Sequence, residues 1–147
     1  MTNAQPRAFA HCDGPCGIYD PATARVAAEA VLSLTHKLLE LAPPDPTSGP
    51  AHAAYLNTFG RYVTIKEEQA ELTKRELLIL WTDYFKPPHV EQHPQLHDLF
   101  WQAAKLCSAC KQSVDHDKAT ELLAKVEAIH TLFWKTKERD VPWITAG

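Results

Sequence analysis

Apolar residues recur at alternating intervals of three and four along most of this chain, and prolines together with one polar turn cut the pattern into four stretches. That interval is the repeat of one face of an α-helix, so each stretch carries a single apolar stripe that needs partners. No run alternates apolar and polar residues as a half-buried strand would. The first stretch opens at Asp20-Pro21, an N-cap residue followed by a proline whose missing N–H costs nothing at a helix start. Its stripe is Ala27, Val31, Leu34, Leu38 and Leu41, and Pro43-Pro44 ends it. The second is predicted over about Ala51 to Phe85, with Gly60 as a point where it can bend and Pro87-Pro88 as its stop. Tyr55, Phe59, Tyr62, Ile65, Leu72 and Ile79 form its stripe, interrupted by the polar Gln69 and Glu76. The third opens at Pro94 and turns Leu96, Leu99, Phe100, Ala103, Leu106, Cys107 and Cys110 inward. The fourth follows the polar turn Ser113–Asp117 and carries Ala119, Leu122, Val126, Ile129 and Phe133. Four amphipathic helices with short connections predict an all-α, up-and-down four-helix bundle. Residues 1–19 stand outside it as an N-terminal arm.

Composition narrows the function. A chain of 147 residues is one domain's worth. Its net charge of −3 gives no basic footprint for nucleic acid or an anionic membrane. Only 5 glycines stand against 11 prolines, and no Gly-rich phosphate loop occurs. No apolar run is long enough to span a membrane, and Met1–Ala10 lacks the apolar core of a secretory signal. The expected location is the cytoplasm, where cysteines are more often metal-binding, catalytic or buried than bridged.

Two of the 4 cysteines lie in the arm, in His11-Cys12-Asp13-Gly14-Pro15-Cys16-Gly17. Three soft or intermediate ligands fall within six residues. Gly14, Pro15 and Gly17 favour a tight loop that turns Cys16 back toward Cys12. The spacing is not the paired C-x2-C of a zinc ribbon. A mixed nitrogen and sulfur set beside backbone nitrogens suits square-planar Ni(II) better. The competing readings are a disulfide or two inert thiols on a loose arm.

The segment from His11 through Ile18-Tyr19-Asp20-Pro21 closely resembles the hook motif of the nickel superoxide dismutase family. Leu80-Trp81-Thr82-Asp83-Tyr84-Phe85-Lys86-Pro87-Pro88-His89, Ile65-Lys66-Glu67-Glu68 and Phe133-Trp134-Lys135 extend the likeness over most of residues 11–137. The variant resembles the cyanobacterial branch. The resemblance implies a four-helix bundle assembled as a homohexamer, with one nickel ion per subunit and superoxide as substrate. It implies a precursor trimmed by a dedicated protease, here between Ala10 and His11. Residues 1–10 would be the propeptide and 11–147 the dismutase domain, with 11–19 as its nickel hook. The cut removes Arg7, the one charged residue of that segment, and moves the net charge from −3 to −4.

Carried over by motif, the nickel ligands are His11, Cys12 and Cys16. His11 would give its freed α-amine and its imidazole, Cys12 its thiolate and backbone amide nitrogen, and Cys16 a second thiolate. In the uncut chain the His11 nitrogen is a peptide amide, so the amine ligand does not exist. Two thiolates and a deprotonated amide push electron density onto nickel and bring its higher oxidation state within reach. Tyr19 and Asp13 resemble the residues that close over the open face of the metal. Tyr19 can equally be an anchor pinning the arm. Lys86 matches a family lysine at the hook entrance, suited to drawing in an anion, or is a solvated charge at a helix end.

Three positions depart from the pattern. Gly14 replaces Leu, Ala27 replaces Glu and Gln69 replaces Arg. The last two are lost together, which avoids an unpaired buried charge. Gln69 can take over part of the lost support to the His11 ring. Gln69→Leu is expected to lower turnover more than stability, and unchanged activity at full nickel occupancy would count against that role.

Cys107 and Cys110 fall on the third stripe and read as small core residues. His89, His93 and His97 are spaced by four, but Pro94 breaks any single helix through them, so they read as surface or capping residues. Two other functional readings compete with the enzyme. One is a nickel-carrying or nickel-sensing bundle without catalysis. The other is a zinc-stapled interaction module using Cys107, Cys110 and His97.

Overall fold

A computed structural model describes residues 16–147. Among these residues there is no strand; the chain forms α1 (Ala22–Glu40), α2 (Gly49–Ile79), α3 (Pro87–Gln92), α4 (Leu96–Gln112) and α5 (His116–Thr136). A π-helical turn, Leu80–Tyr84, prolongs α2 and closes with Phe85 N–H donating to the Leu80 carbonyl at 3.1 Å. The four long helices pack in chain order, α1 on α2, α2 on α4, α4 on α5, and α5 back on α1. That ring is the expected up-and-down bundle. Tail residues 137–147 carry no helix.

Local chemistry sets the boundaries. Asp20 acts one residue earlier than an N-cap does, with Oδ1 accepting from Ala22 N–H at 2.8 Å, and Pro21 is the flanking residue of α1. Ser48 caps α2 through Ala51 N–H. Asp115 caps α5, accepting from Lys118 N–H at 3.1 Å, and its bonds to Lys118 hold its carboxyl below the ordinary range. Pro87-Pro88 ends the long second helix, as expected, but it also opens the short α3, because a proline suits a helix's first turn. His93 closes α3 ahead of Pro94, and α4 begins at Leu96, two residues later than predicted.

The core is built from the α4 and α5 stripes, with Leu99 and Leu106 of the predicted α4 face only half-buried. Phe100, Ala103 and Cys107 on α4 and Ala119, Leu122, Val126, Ile129 and Phe133 on α5 are all buried. Each fully buried large side chain among them contributes about 1.5–3 kcal/mol. On α1 the buried face is Ala24, Ala27, Ala28, Val31, Thr35 and Leu38, while Leu34 and Leu41 are half-buried. Small alanines there let α2 approach closely.

The second stripe is corrected. The buried face of α2 is Lys66, Ala70, Thr73, Glu76 and Leu77, continued by Leu80. It lies one residue, about 100°, around the helix from most of the predicted stripe. Phe59 and Ile65 are exposed, and Tyr55, Tyr62, Leu72 and Ile79 only half-buried. Apolarity misled here because the side facing the core uses small residues and a lysine stem. Lys66 is buried, and its ammonium donates to the carbonyls of Cys110, Ser113 (2.9 Å) and Lys111 (3.4 Å), the end of α4.

Cys107 and Cys110 are free and buried. Burial pushes their thiols up from 9.0 to about 12 and about 11 respectively. A raised folded-state value means that the folded chain holds more protons above pH 9 than the unfolded one. Their contribution is therefore present below pH 9 and is lost as pH rises toward 11–12. Thermal unfolding from pH 8 to 11 is expected to show falling stability, with a shallower fall in Cys107→Ala. An equal slope in that variant would remove the thiol from the account.

Helix α5 ends in a Schellman motif. Glu138 N–H donates to Lys135 and Arg139 N–H to Trp134, both at 3.0 Å. Glu138 sits at φ +55°, a position that favours glycine. Glu138→Gly is expected to stabilise the chain by up to about 1 kcal/mol. A denaturation midpoint lower than that of the wild type would show that the side chain holds something in place.

Candidate metal centre

The described chain enters at Cys16, which is exposed and unbridged. Gly17 follows at φ +62°, a left-handed turn that a side chain disfavours. Ile18 is exposed and Tyr19 half-buried against the core. Pro21, fully buried, then starts α1. The arm is thus pinned at Tyr19 and Pro21 and free at the thiol.

Tyr19 rests on Tyr84, with ring centroids 5.7 Å apart and planes tilted by 53°. Tyr84 is the last residue of the π-helical turn. Such turns displace a side chain relative to a regular helix and frequently mark functional sites. Its ring stacks on His89 at 5.6 Å and 13° and packs on Phe133 at 4.5 Å. Thr136 Oγ1 donates to the Phe133 carbonyl, so the 2.7 Å contact between Tyr84 and Thr136 runs from the phenol to the threonine oxygen. Lys137 Nζ lies 5.1 Å from the Tyr84 ring centre, within cation–π range.

Lys86 stands two residues beyond Tyr84. It is exposed, and its ammonium donates to the Asp83 carbonyl at 2.8 Å. Its backbone N–H donates to His89 Nδ1 at 3.0 Å, so His89 is a capping histidine. Among the predicted site residues, Tyr19 and Lys86 therefore gather around Tyr84 at the end of the bundle where the arm joins. His11, Cys12 and Asp13 lie outside the described residues. Gln69 is half-buried on α2. Tyr84 and Lys137 were not singled out by sequence reasoning. The signal for Tyr84 was its place inside the Leu80–His89 motif, but a tyrosine on a helix end has no distinctive spacing.

The donors suit nickel. Cys16 offers a soft thiol in the open, and Cys12 and His11 add sulfur and nitrogen within the same short segment. Among the described residues no three His, Cys, Asp or Glu side chains gather into a metal-binding group. The zinc-module reading fails for the same reason. Cys107 and Cys110 face the core, while the exposed His97 accepts a hydrogen bond from Trp81 Nε1 at 2.9 Å.

Comparison with known proteins places these residues in context. The family model for nickel-containing superoxide dismutase matches residues 6–137. The superoxide dismutase [Ni] of Streptomyces seoulensis is 43% identical over 129 residues, 88% of this chain and 89% of that protein. The enzyme of the same description from Streptomyces coelicolor is 42% identical over the same shares. A crystal structure of Ni-containing superoxide dismutase with nickel ligation corresponding to the oxidized state matches with a TM-score of 0.75. It is 42% identical and covers 88% of this chain and 100% of that one. The native nickel superoxide dismutase structure gives 0.72 at 41% identity, covering 86% and 99%. With a match that runs from ahead of the hook segment to the end of α5, this chain belongs to the nickel-containing superoxide dismutase family.

Proposed function

We propose that the chain disproportionates superoxide to dioxygen and hydrogen peroxide, with nickel held by His11, Cys12 and Cys16. The observation that carries this is an exposed, unbridged Cys16 on a left-handed turn ahead of an anchored Tyr19. Relatives described as superoxide dismutase [Ni], at 42–43% identity, favour turnover over a non-catalytic nickel carrier. When bound, nickel supplies two accessible oxidation states, so that one superoxide can be oxidised and another reduced. The protein's own residues do the rest. Cys16 and Cys12 are the sulfur donors. His11 is a nitrogen donor through its imidazole and, once Ala10 is removed, through its amine. Tyr19, steadied by Tyr84, and Asp13 screen the open face and admit a small anion. Lys86 adds positive charge at the entrance, and peroxide formation draws two protons from groups or water at the site.

Three further features belong to this reading. Cleavage between Ala10 and His11 matures the chain; the family match begins at residue 6, so a short segment ahead of His11 is part of the family's pattern. The chain works as a homohexamer with one nickel per subunit; support comes from the apolar residues that α1 and α2 leave outside the bundle, Leu39, Leu56, Phe59 and Ile65. Its location is the cytoplasm; among the described residues no helix is long and apolar enough to cross a membrane. The test is an assay of superoxide loss by cleaved, nickel-loaded protein. Inactivity in that form would overturn the enzyme.

A further inference from the structure

The family match stops at residue 137, where the last helix has just ended. The next ten residues are nonetheless built onto the bundle. Arg139 lays its guanidinium over the Trp134 ring, 4.8 Å from the ring centre, which adds a side-chain contact to the Schellman turn. His130 Nε2 donates to the Val141 carbonyl at 2.9 Å; a carbonyl only accepts, so the ring proton is on Nε2. His130 is itself buried on α5. Trp143 closes on the same imidazole edge-on, with centroids 5.2 Å apart, and Val141 and Trp143 both pack against the core. The backbone N–H of Ala146 then donates to Glu29 Oε2 of α1 at 2.6 Å. The other oxygen of that carboxylate receives the Arg25 guanidinium, one turn earlier on α1. Thr145, Ala146 and Gly147 end in a groove between Val26 and Ala30 of α1 and Leu123 of α5.

We infer that residues 138–147 are a strap that ties α5 to the first two turns of α1 and so fixes the seat of the arm. The strap begins next to Lys137, which covers Tyr84, and ends on Glu29, two turns past Pro21. Tyr19 and Pro21 lie between those two attachments, on the short stretch that joins the hook to the bundle. A carboxylate bound at once to a helix-internal arginine and a tail amide is anchored on both oxygens, and charge-assisted bonds of this kind are stronger than neutral ones. Without the strap, α1 keeps its direct packing on α2 and α5 but loses the clamp that spans the α1–α5 pair toward its N-terminal end. Local opening is expected to begin there, because helix ends with fewer tertiary contacts open first. The consequence for the hook rests on the functional reading above; the effect on α1 follows from the packing alone.

Hydrogen exchange of the full metal-free chain against a chain ending at Lys137 tests the inference. The shortened chain is expected to exchange the Tyr19–Glu29 amides at least about tenfold faster, with the core of α4 much less affected. Glu29→Ala in the full-length chain should reproduce part of that change. Glu29→Gln keeps an oxygen for Ala146 N–H but gives up the charge-assisted bond to Arg25, and should restore part of the protection that Glu29→Ala loses. Unchanged exchange at Tyr19–Glu29, uniform acceleration in every helix, or Glu29→Gln behaving as Glu29→Ala would each overturn the strap. Because no metal is present, the result stands apart from turnover. Activity of the shortened chain, cleaved ahead of His11 and nickel-loaded, is measured separately, and zero turnover in the equally cleaved and loaded chain that keeps residues 138–147 would fault the functional reading instead.

Discussion

Cys16→Ser is expected to bring superoxide turnover of the cleaved, nickel-supplied protein down to background while leaving the bundle's stability almost unchanged. The two halves of that result come from the same observation. Cys16 is exposed and buries nothing, and substitutions at such surface positions usually shift stability by no more than about 0.5 kcal/mol. A serine hydroxyl keeps nearly the same shape but is a hard, neutral donor at ordinary pH, with none of the electron release of a thiolate. Partners that merely orient a metal ligand typically matter by about 10–100-fold, so loss of a ligand itself is expected to exceed that range. Turnover, bound nickel and unfolding temperature measured together check it. Wild-type turnover with full nickel in the variant would remove Cys16 from the metal set. The uncut chain gives an independent version of the test. With Ala10 still attached, the His11 nitrogen is a peptide amide and not a free amine, and the same loss is expected with every side chain intact. Full activity before cleavage would sink the amine ligand and the need for maturation with it.

How much of this was legible in the sequence depends on where its physics is local. The α5 stripe was legible because all five of its predicted apolar positions are fully buried and a polar turn sets its start, although His130, Leu132 and Trp134 widen the buried face beyond it. The hook segment was legible because three ligand types crowd into six residues, a pattern that folding alone gives little reason to produce. The α2 face was misread because the rule that larger apolar residues point inward fails where two helices approach closely. There the core side carries Ala70 and Thr73, and the bulky stripe is left to another surface. The role of Tyr84 was hidden for a different reason. Its position depends on a one-residue widening of the helix at Leu80–Tyr84, and on Tyr19 arriving from sixty-five residues away in sequence. Neither the widening nor the meeting has a periodic signature. The strap was missed because Val141, Pro142 and Trp143 form no helical pattern.

Lys66→Met is expected to cost about 2–4 kcal/mol, a fall of roughly 5–15 °C in unfolding temperature. Methionine preserves most of the apolar stem and removes the charge, so little of the effect is cavity. What is lost is the cap on α4. The carbonyls of Cys110, Lys111 and Ser113 converge on one ammonium from the neighbouring helix, at the negative end of the α4 dipole. Left without it, each inaccessible carbonyl carries a desolvation cost of about 1–3 kcal/mol. The pH dependence separates this from simple repacking. Desolvation holds the Lys66 ammonium below its ordinary 10.5, so between that lowered value and 10.5 the unfolded chain binds more protons than the folded one. The lysine's contribution to stability therefore rises with pH through that window. The two buried thiols act in the opposite direction in both chains; without the Lys66 charge the Cys110 thiol is raised further, so what does not cancel also widens the deficit. The deficit of Lys66→Met relative to wild type should thus widen as pH approaches 10.5. A deficit that narrows instead would mean that the carbonyl oxygens outweigh desolvation and hold the ammonium above its ordinary value. A variant as stable as wild type at every pH would show that water can cap α4 equally well.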